Sequence, residues 1–234
     1  MTQQKYSINE LMVEITRKCN MSCGHCLRGA AQNVNIKPEF ITAMLEQVYQ
    51  VSTLTITGGE PSLNVKGIRF LLSELKRLDV HVGAFYIVTN GSKSSISPEF
   101  MQVCMELYQY QELRGEWAEN IKMLQMSDDY FHDQDLHREV KETLSMFSFF
   151  STRNNNYNGG QGLIEQGRQE YGRELIVRGL IIDDDVIEGD VYLNALGNIT
   201  SCCDMSYKTQ HYKKLCSVYN FSEYIESIRE KECA

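Results

Sequence analysis

Hydrophobic positions along the chain alternate between a strand period and a helix period. Leu11 to Thr16 is rich in β-branched residues and reads as a strand. Pro38 to Gln50 follows as a helix, with Pro38 in its first turn and Phe40, Ile41, Met44, Leu45 and Val48 on one stripe. Leu54 to Thr57 is a second strand, and Val65 to Leu78 a helix whose Ile68, Leu71, Leu72, Leu75 and Leu78 recur at helical spacing. Ala84 to Thr89 is a third strand, followed by a helix that Ser97 caps, with Pro98 at its first position. The same rules predict a strand at Ile121 to Met126, a helix at about Asp135 to Phe150, strands at Glu174 to Ile182 and Val191 to Asn194, and a closing helix at Phe221 to Glu232. Asn154 to Gly162 is turn-rich and reads as a loop.

Strands separated by helices of this length pair in parallel through right-handed crossovers. The fold class expected is α/β, an incomplete (β/α)6 TIM-type barrel with parallel strands and a short cysteine-containing C-terminal extension. Residues 1–200 form the core domain in this reading, and 201–234 an extension that is not an independent domain. In such architectures ligands bind beyond the C-terminal ends of the strands, so those positions are the ones to inspect for chemistry.

The 234 residues are enough for one domain, and 42% hydrophobic against 23% charged residues is ordinary for a globular chain. A net charge of -8 disfavours nucleic acid and anionic membranes as partners. No run of about 18 apolar residues and no basic-then-apolar start is seen, so a cytoplasmic protein is expected. Eight cysteines in that compartment are expected as thiols or metal ligands.

Three of them, Cys19, Cys23 and Cys26, fall in a CxxxCxxC loop just after the first strand. Three thiolates can each hold one iron of a cubane and leave the fourth iron open. A zinc site would want a fourth protein ligand, and an electron-transfer cluster would recruit a distant cysteine; both readings stay open on spacing alone. Strand two runs into Gly58-Gly59-Glu60-Pro61, where glycines permit close backbone approach and a carboxylate can accept from an ammonium group.

In this order, CxxxCxxC and then GGEP, the chain resembles the radical S-adenosylmethionine (SAM) enzymes. The resemblance implies a [4Fe-4S] cluster on Cys19, Cys23 and Cys26 and SAM bound at the open iron. It also implies reductive cleavage of SAM to a 5'-deoxyadenosyl radical that abstracts hydrogen from a substrate. It assigns Gly58, Gly59 and Glu60 to the SAM amino group and His25, before the third cysteine, to the adenine. Asn90 of Thr89-Asn90-Gly91 falls near the cofactor, and Ser127 and Asp129 fit an SxD pattern for its ribose or methionine end. Arg178 is a candidate for the SAM carboxylate, with Arg28 behind it, and His132 could face substrate.

Gly197 to Cys202 has the Gx4C spacing of SPASM and twitch extensions, which bind auxiliary iron-sulfur clusters, although no upstream cysteine accompanies it. Cys202, Cys203 and Cys216 are therefore candidates for a second cluster, with Cys233 at the terminus, and one of the adjacent pair could instead serve substrate. The partial likeness favours a peptide or protein side chain as substrate. Small-molecule chemistry in cofactor or modified-base biosynthesis, and a non-catalytic electron-transfer or redox-sensing protein, are the alternatives. A reductant such as flavodoxin or ferredoxin is the implied partner. Sequence assigns no catalytic residue.

Overall fold

A computed structural model describes residues 4–113, 122–128, 134–153 and 162–232. Among these residues the sheet has nine strands. β1 (Tyr6–Thr16), β2 (Val48–Gly58), β3 (His81–Thr89), β4 (Leu124–Ser127) and β5 (Phe150–Arg153) pair in sequence, each parallel to the next. β6 (Ile181–Asp183) runs antiparallel to β7 (Val186–Leu193), and β7 returns to the far side of β1 as its parallel partner. β8 (Asn198–Thr200) and β9 (Cys216–Ser217) extend that side antiparallel. The sheet path is thus β5-β4-β3-β2-β1-β7-β8-β9, a mostly parallel open sheet.

Helices α1 (Pro38–Leu45), α2 (Val65–Arg77), α3 (Pro98–Leu113) and α4 (Gln134–Leu144) are the crossovers between β1 and β5. α5 (Tyr207–Tyr212) and α6 (Phe221–Glu232) follow β8 and β9. Leu11, Val13 and Ile15 of β1 and Leu54 and Ile56 of β2 are buried in one core with Ile68, Leu71 and Leu75 of α2. Burying a side chain of that size contributes roughly 1.5–3 kcal/mol, so this layer fixes which face of each strand looks inward. α6 joins the same core through Phe221 and Ile225, so the C-terminal segment is part of it.

Two of the expected helices end early. α1 stops at Leu45, where the Glu46 and Gln47 amides bond back to Thr42 and Met44, and Val48 to Gln50 join β2. Val48, Val51, Leu54 and Ile56 are buried along that strand, three of them β-branched, and this run outcompetes one more helical turn. α4 likewise ends at Leu144, because Phe147 and Phe149 pack ring against ring at 5.3 Å instead of continuing a helical stripe, and the fifth strand begins at Phe150.

The expected strand at Glu174 to Ile182 is mostly irregular. Ile176 is 66% and Val177 41% exposed, so this apolar run buries too little to be a core strand. The expected loop at Asn154 to Gly162 lies outside the described residues apart from Gly162. No helix among the described residues is long and apolar enough to cross a membrane.

Candidate metal and cofactor site

The loop after β1 is held shut at its neck. Arg17 and Val34 bond through the backbone at 2.8 Å, the Gln32 amide donates to the Arg17 carbonyl at 3.0 Å, and Thr16 Oγ1 donates to Asn35 Oδ1 at 2.7 Å. Inside it the Cys26 amide bonds to the Cys23 carbonyl and the Gly29 amide to the Cys26 carbonyl, each at 3.2 Å. These turns leave Cys19, Cys23 and Cys26 half-buried on one cavity of about 260 Å³. Burial pushes the Cys19 thiol above its ordinary value.

No three His, Cys, Asp or Glu side chains among the described residues form a single-ion site. A cubane has no need of one, since each thiolate takes a different iron. The donor set, three thiols around a cavity with room beyond them, fits that group.

Gly58 and Gly59 line the same cavity. A Cβ on Gly58 would collide with the Thr16 carbonyl, and one on Gly59 with that of Lys18. Both are therefore required first by the close approach of β2 to the end of β1, where the Gly59 and Glu60 amides donate to Thr16 and Lys18 at 2.8 Å. Glu60 itself does not line the cavity; it is fully buried behind it. Its Oε1 accepts Ser62 Oγ at 2.6 Å and Thr89 Oγ1 at 2.8 Å, and its Oε2 accepts the Asn90 amide at 2.8 Å. Burial pushes this carboxyl up, and the donors around it work in the opposite direction.

Asn90 reaches the cysteine loop directly. Its Nδ2 donates to Cys19 Sγ at 3.6 Å and to Asn20 Oδ1 at 3.0 Å, while its own carbonyl meets His137 Nε2 at 2.9 Å. Ser127, at the end of β4, and His25 also line the cavity. Asp129 and His132 lie outside the described residues.

Sequence reading missed Arg168 and Tyr207, which complete the wall with Arg28. Neither belongs to a strand end, so no periodic or motif signal marked them. Arg28 donates from Nη1 to the carbonyls of Cys203 and Met205, the latter at 2.8 Å, and stacks 5.0 Å from the Tyr192 ring centroid. Beneath it Glu14, fully buried, accepts from Arg17 Nε at 2.5 Å and from the Tyr192 hydroxyl at 2.8 Å. Arg17 also donates to Gln210 at 2.5 Å, so the loop and α5 share one polar network.

Arg28 and Cys203 face a second cavity, of about 420 Å³, on the inner face of the sheet with Met12, Thr53, Thr55, Thr57 and Tyr86. Arg178 is placed elsewhere. It is exposed and lines a third cavity with Arg173, Asp190, Cys202 and Asp204. The structure does not gather the C-terminal cysteines either: Cys202 faces the third cavity, Cys203 the second, and Cys216 packs against the hydrophobic core. Burial pushes the thiols of Cys203 and Cys216 up to about 12.

The family model of a 4Fe-4S single cluster domain matches residues 12–139, more than half of the chain. The chain belongs to this iron-sulfur family. That membership agrees with the resemblance to radical SAM enzymes drawn from Cys19, Cys23 and Cys26. No curated protein matches the chain. Among solved structures, the chain is similar to native anSMEcpe with bound AdoMet and Cp18Cys peptide, at 9% identity over 93% of this chain and 79% of that one, with a TM-score of 0.49. The same protein with Kp18Cys peptide matches at 10% identity over 92% and 78%, TM-score 0.47. Streptococcus suis SuiB bound to precursor peptide SuiA matches at 13% identity over 86% and 60%, TM-score 0.38.

Proposed function

We propose that this protein is a radical SAM enzyme acting on a peptide or protein side chain. One observation carries the reading: residues from the ends of four successive parallel strands, Cys19 to Cys26 after β1, Gly58 and Gly59 at β2, Asn90 after β3 and Ser127 at β4, line a single cavity of about 260 Å³. When bound there, a [4Fe-4S] cluster and SAM supply one-electron cleavage of the sulfonium to a 5'-deoxyadenosyl radical that takes a hydrogen atom from substrate. Cys19, Cys23 and Cys26 would hold the cluster, one thiolate to each of three irons.

The chain's own groups position and enclose. Asn90 fixes the Cys19 sulfur through its amide, and hydrogen bonds to sulfur tune such clusters. Gly58 and Gly59 present backbone to the SAM amino group, with Glu60 supporting them from behind. His25 stacks on or hydrogen-bonds the adenine, and Ser127 serves the ribose or methionine end, with Asp129 completing that pattern. Substrate occupies the inner cavity, which Arg28 shares with the cofactor cavity. β5 is the end of the sheet path, so the inner face opens on that side to a substrate larger than a metabolite. A flavodoxin or ferredoxin provides the electron.

Anaerobic incubation of the reduced, reconstituted protein with SAM tests this reading. Formation of 5'-deoxyadenosine supports it, and its loss together with iron in the Cys19/Cys23/Cys26→Ala variant ties the activity to this loop. Zinc without iron or sulfide after anaerobic purification and reconstitution would end it.

A further inference from the structure

The segment that follows β5 forms a strap over the cluster loop. Its base is stapled by the Arg173 amide donating to the Leu163 carbonyl at 2.8 Å and the Glu165 amide to the Arg173 carbonyl at 3.1 Å. Its tip is fastened through two residues, Arg168 and Gln166. The Arg168 amide donates to the Cys26 carbonyl at 3.0 Å, and Gln166 Oε1 accepts from Thr209 Oγ1 at 2.6 Å. Gly167, at φ +65°, makes the contact possible: a Cβ there would stand 2.5 Å from the Gly29 nitrogen and 2.6 Å from the Cys26 oxygen.

The strap carries one uncommitted cationic donor to the cavity. Arg168 lines it, and its Nε is buried with no hydrogen-bond partner among the described residues. A buried N–H without an acceptor is costly, so the site calls for an acceptor supplied from outside the chain. The other guanidinium on the wall, Arg28, already spends Nη1 on two carbonyls and lies over the Tyr192 ring. Arg178 faces a different cavity. A planar guanidinium with free donors matches a carboxylate better than a hydroxyl or an adenine edge.

We infer that Arg168, delivered by the strap, binds the carboxylate of the methionine moiety of SAM. This inference rests on the radical SAM reading and adds to it a residue outside every motif of the chain.

The test uses the full, anaerobically reconstituted chain and two ligands: SAM, and S-methyl-5'-thioadenosine, which keeps the nucleoside but lacks the α-amino and carboxylate groups of the methionine moiety. Equilibrium binding is measured for wild type, Arg168→Gln and Arg168→Lys, with iron content as a parallel readout. Arg168→Gln is expected to weaken SAM binding by about 10- to 100-fold, the range for losing a charged hydrogen bond. Arg168→Lys recovers part of that loss, and affinity for the thionucleoside and iron content stay at wild-type levels. Unchanged SAM affinity, or equal losses for both ligands, would overturn the assignment. Iron loss in Arg168→Gln would give the residue to the cluster thiolates and also overturn it. If wild type binds no SAM at all, the radical SAM reading fails first, an outcome distinct from a variant that binds SAM as well as wild type.

Discussion

Glu60 Oε2 accepts the backbone N–H of Asn90 at 2.8 Å, and this bond ties the end of β2, where the Glu60 side chain is fully buried, to the end of β3. Asn90 in turn donates to Cys19 Sγ, so one carboxylate governs where the hydrogen-bond partner of that thiol stands. Glu60→Gln replaces one acceptor oxygen by an NH2 that cannot accept from Asn90 or, if flipped, from Ser62 and Thr89. A loss of about 1–3 kcal/mol is expected from a buried donor left unpaired. An anaerobic urea titration that returned the wild-type midpoint would refute this.

Gly167→Ala should lift the strap. The substitution meets both a left-handed backbone angle and the backbone of Cys26 to Gly29. Strain of that kind costs on the order of 1–3 kcal/mol, enough to expose the segment without unfolding the sheet. Faster limited proteolysis within 162–173, together with weaker SAM binding, is the expected result.

The network under Arg28 separates two effects. Tyr192→Phe removes a single donor from Glu14 and should cost about 1–3 kcal/mol. Glu14→Ala leaves Arg17 buried without its carboxylate and should cost more, about 3–5 kcal/mol. Thermal unfolding of both variants checks the order, and the reverse order would mean that the ion pair is not what the site relies on.

Glu74 gives a pH dependence with a definite sign. Its hydrogen bonds from Arg77, at 2.7 Å to each oxygen, hold the carboxyl below its ordinary value despite some desolvation, and Thr42 of α1 adds a third donor at 2.7 Å. A depressed pKa means that the stabilisation is present above the ordinary carboxyl range and is lost as pH falls through the lowered value. Wild type should therefore exceed Glu74→Gln in unfolding midpoint at about pH 7, and the gap should close as the pH drops below about 4. A gap that widened on acidification would contradict the assignment.

Some parts of this protein were legible in the chain because they depend on neighbours in sequence. α2 and α6 follow from their apolar spacing, and α3 from Ser97, whose Oγ accepts the Phe100 amide at 3.3 Å, and Pro98. The grouping of Cys19, Cys23 and Cys26 follows from one short loop. β5 was not legible: Phe150 to Arg153 owes its strand to pairing with Leu124 to Ser127, a contact that periodicity does not encode. The reverse error occurred at Glu174 to Ile182, where an apolar run implied burial that the fold does not provide.

The chain by itself determined the cysteine loop, the glycine pair, Asn90 and the alternation that lays these out along successive strand ends, since spacing and local backbone chemistry suffice for each. Tertiary structure alone decided that Glu60 lies behind the cavity and not in it, that β7 closes on β1, and that Arg168 stands on the wall where Arg178 was expected. Those outcomes depend on hydrogen bonds and packing between residues far apart in sequence, and no local pattern records which distant partner a side chain will meet.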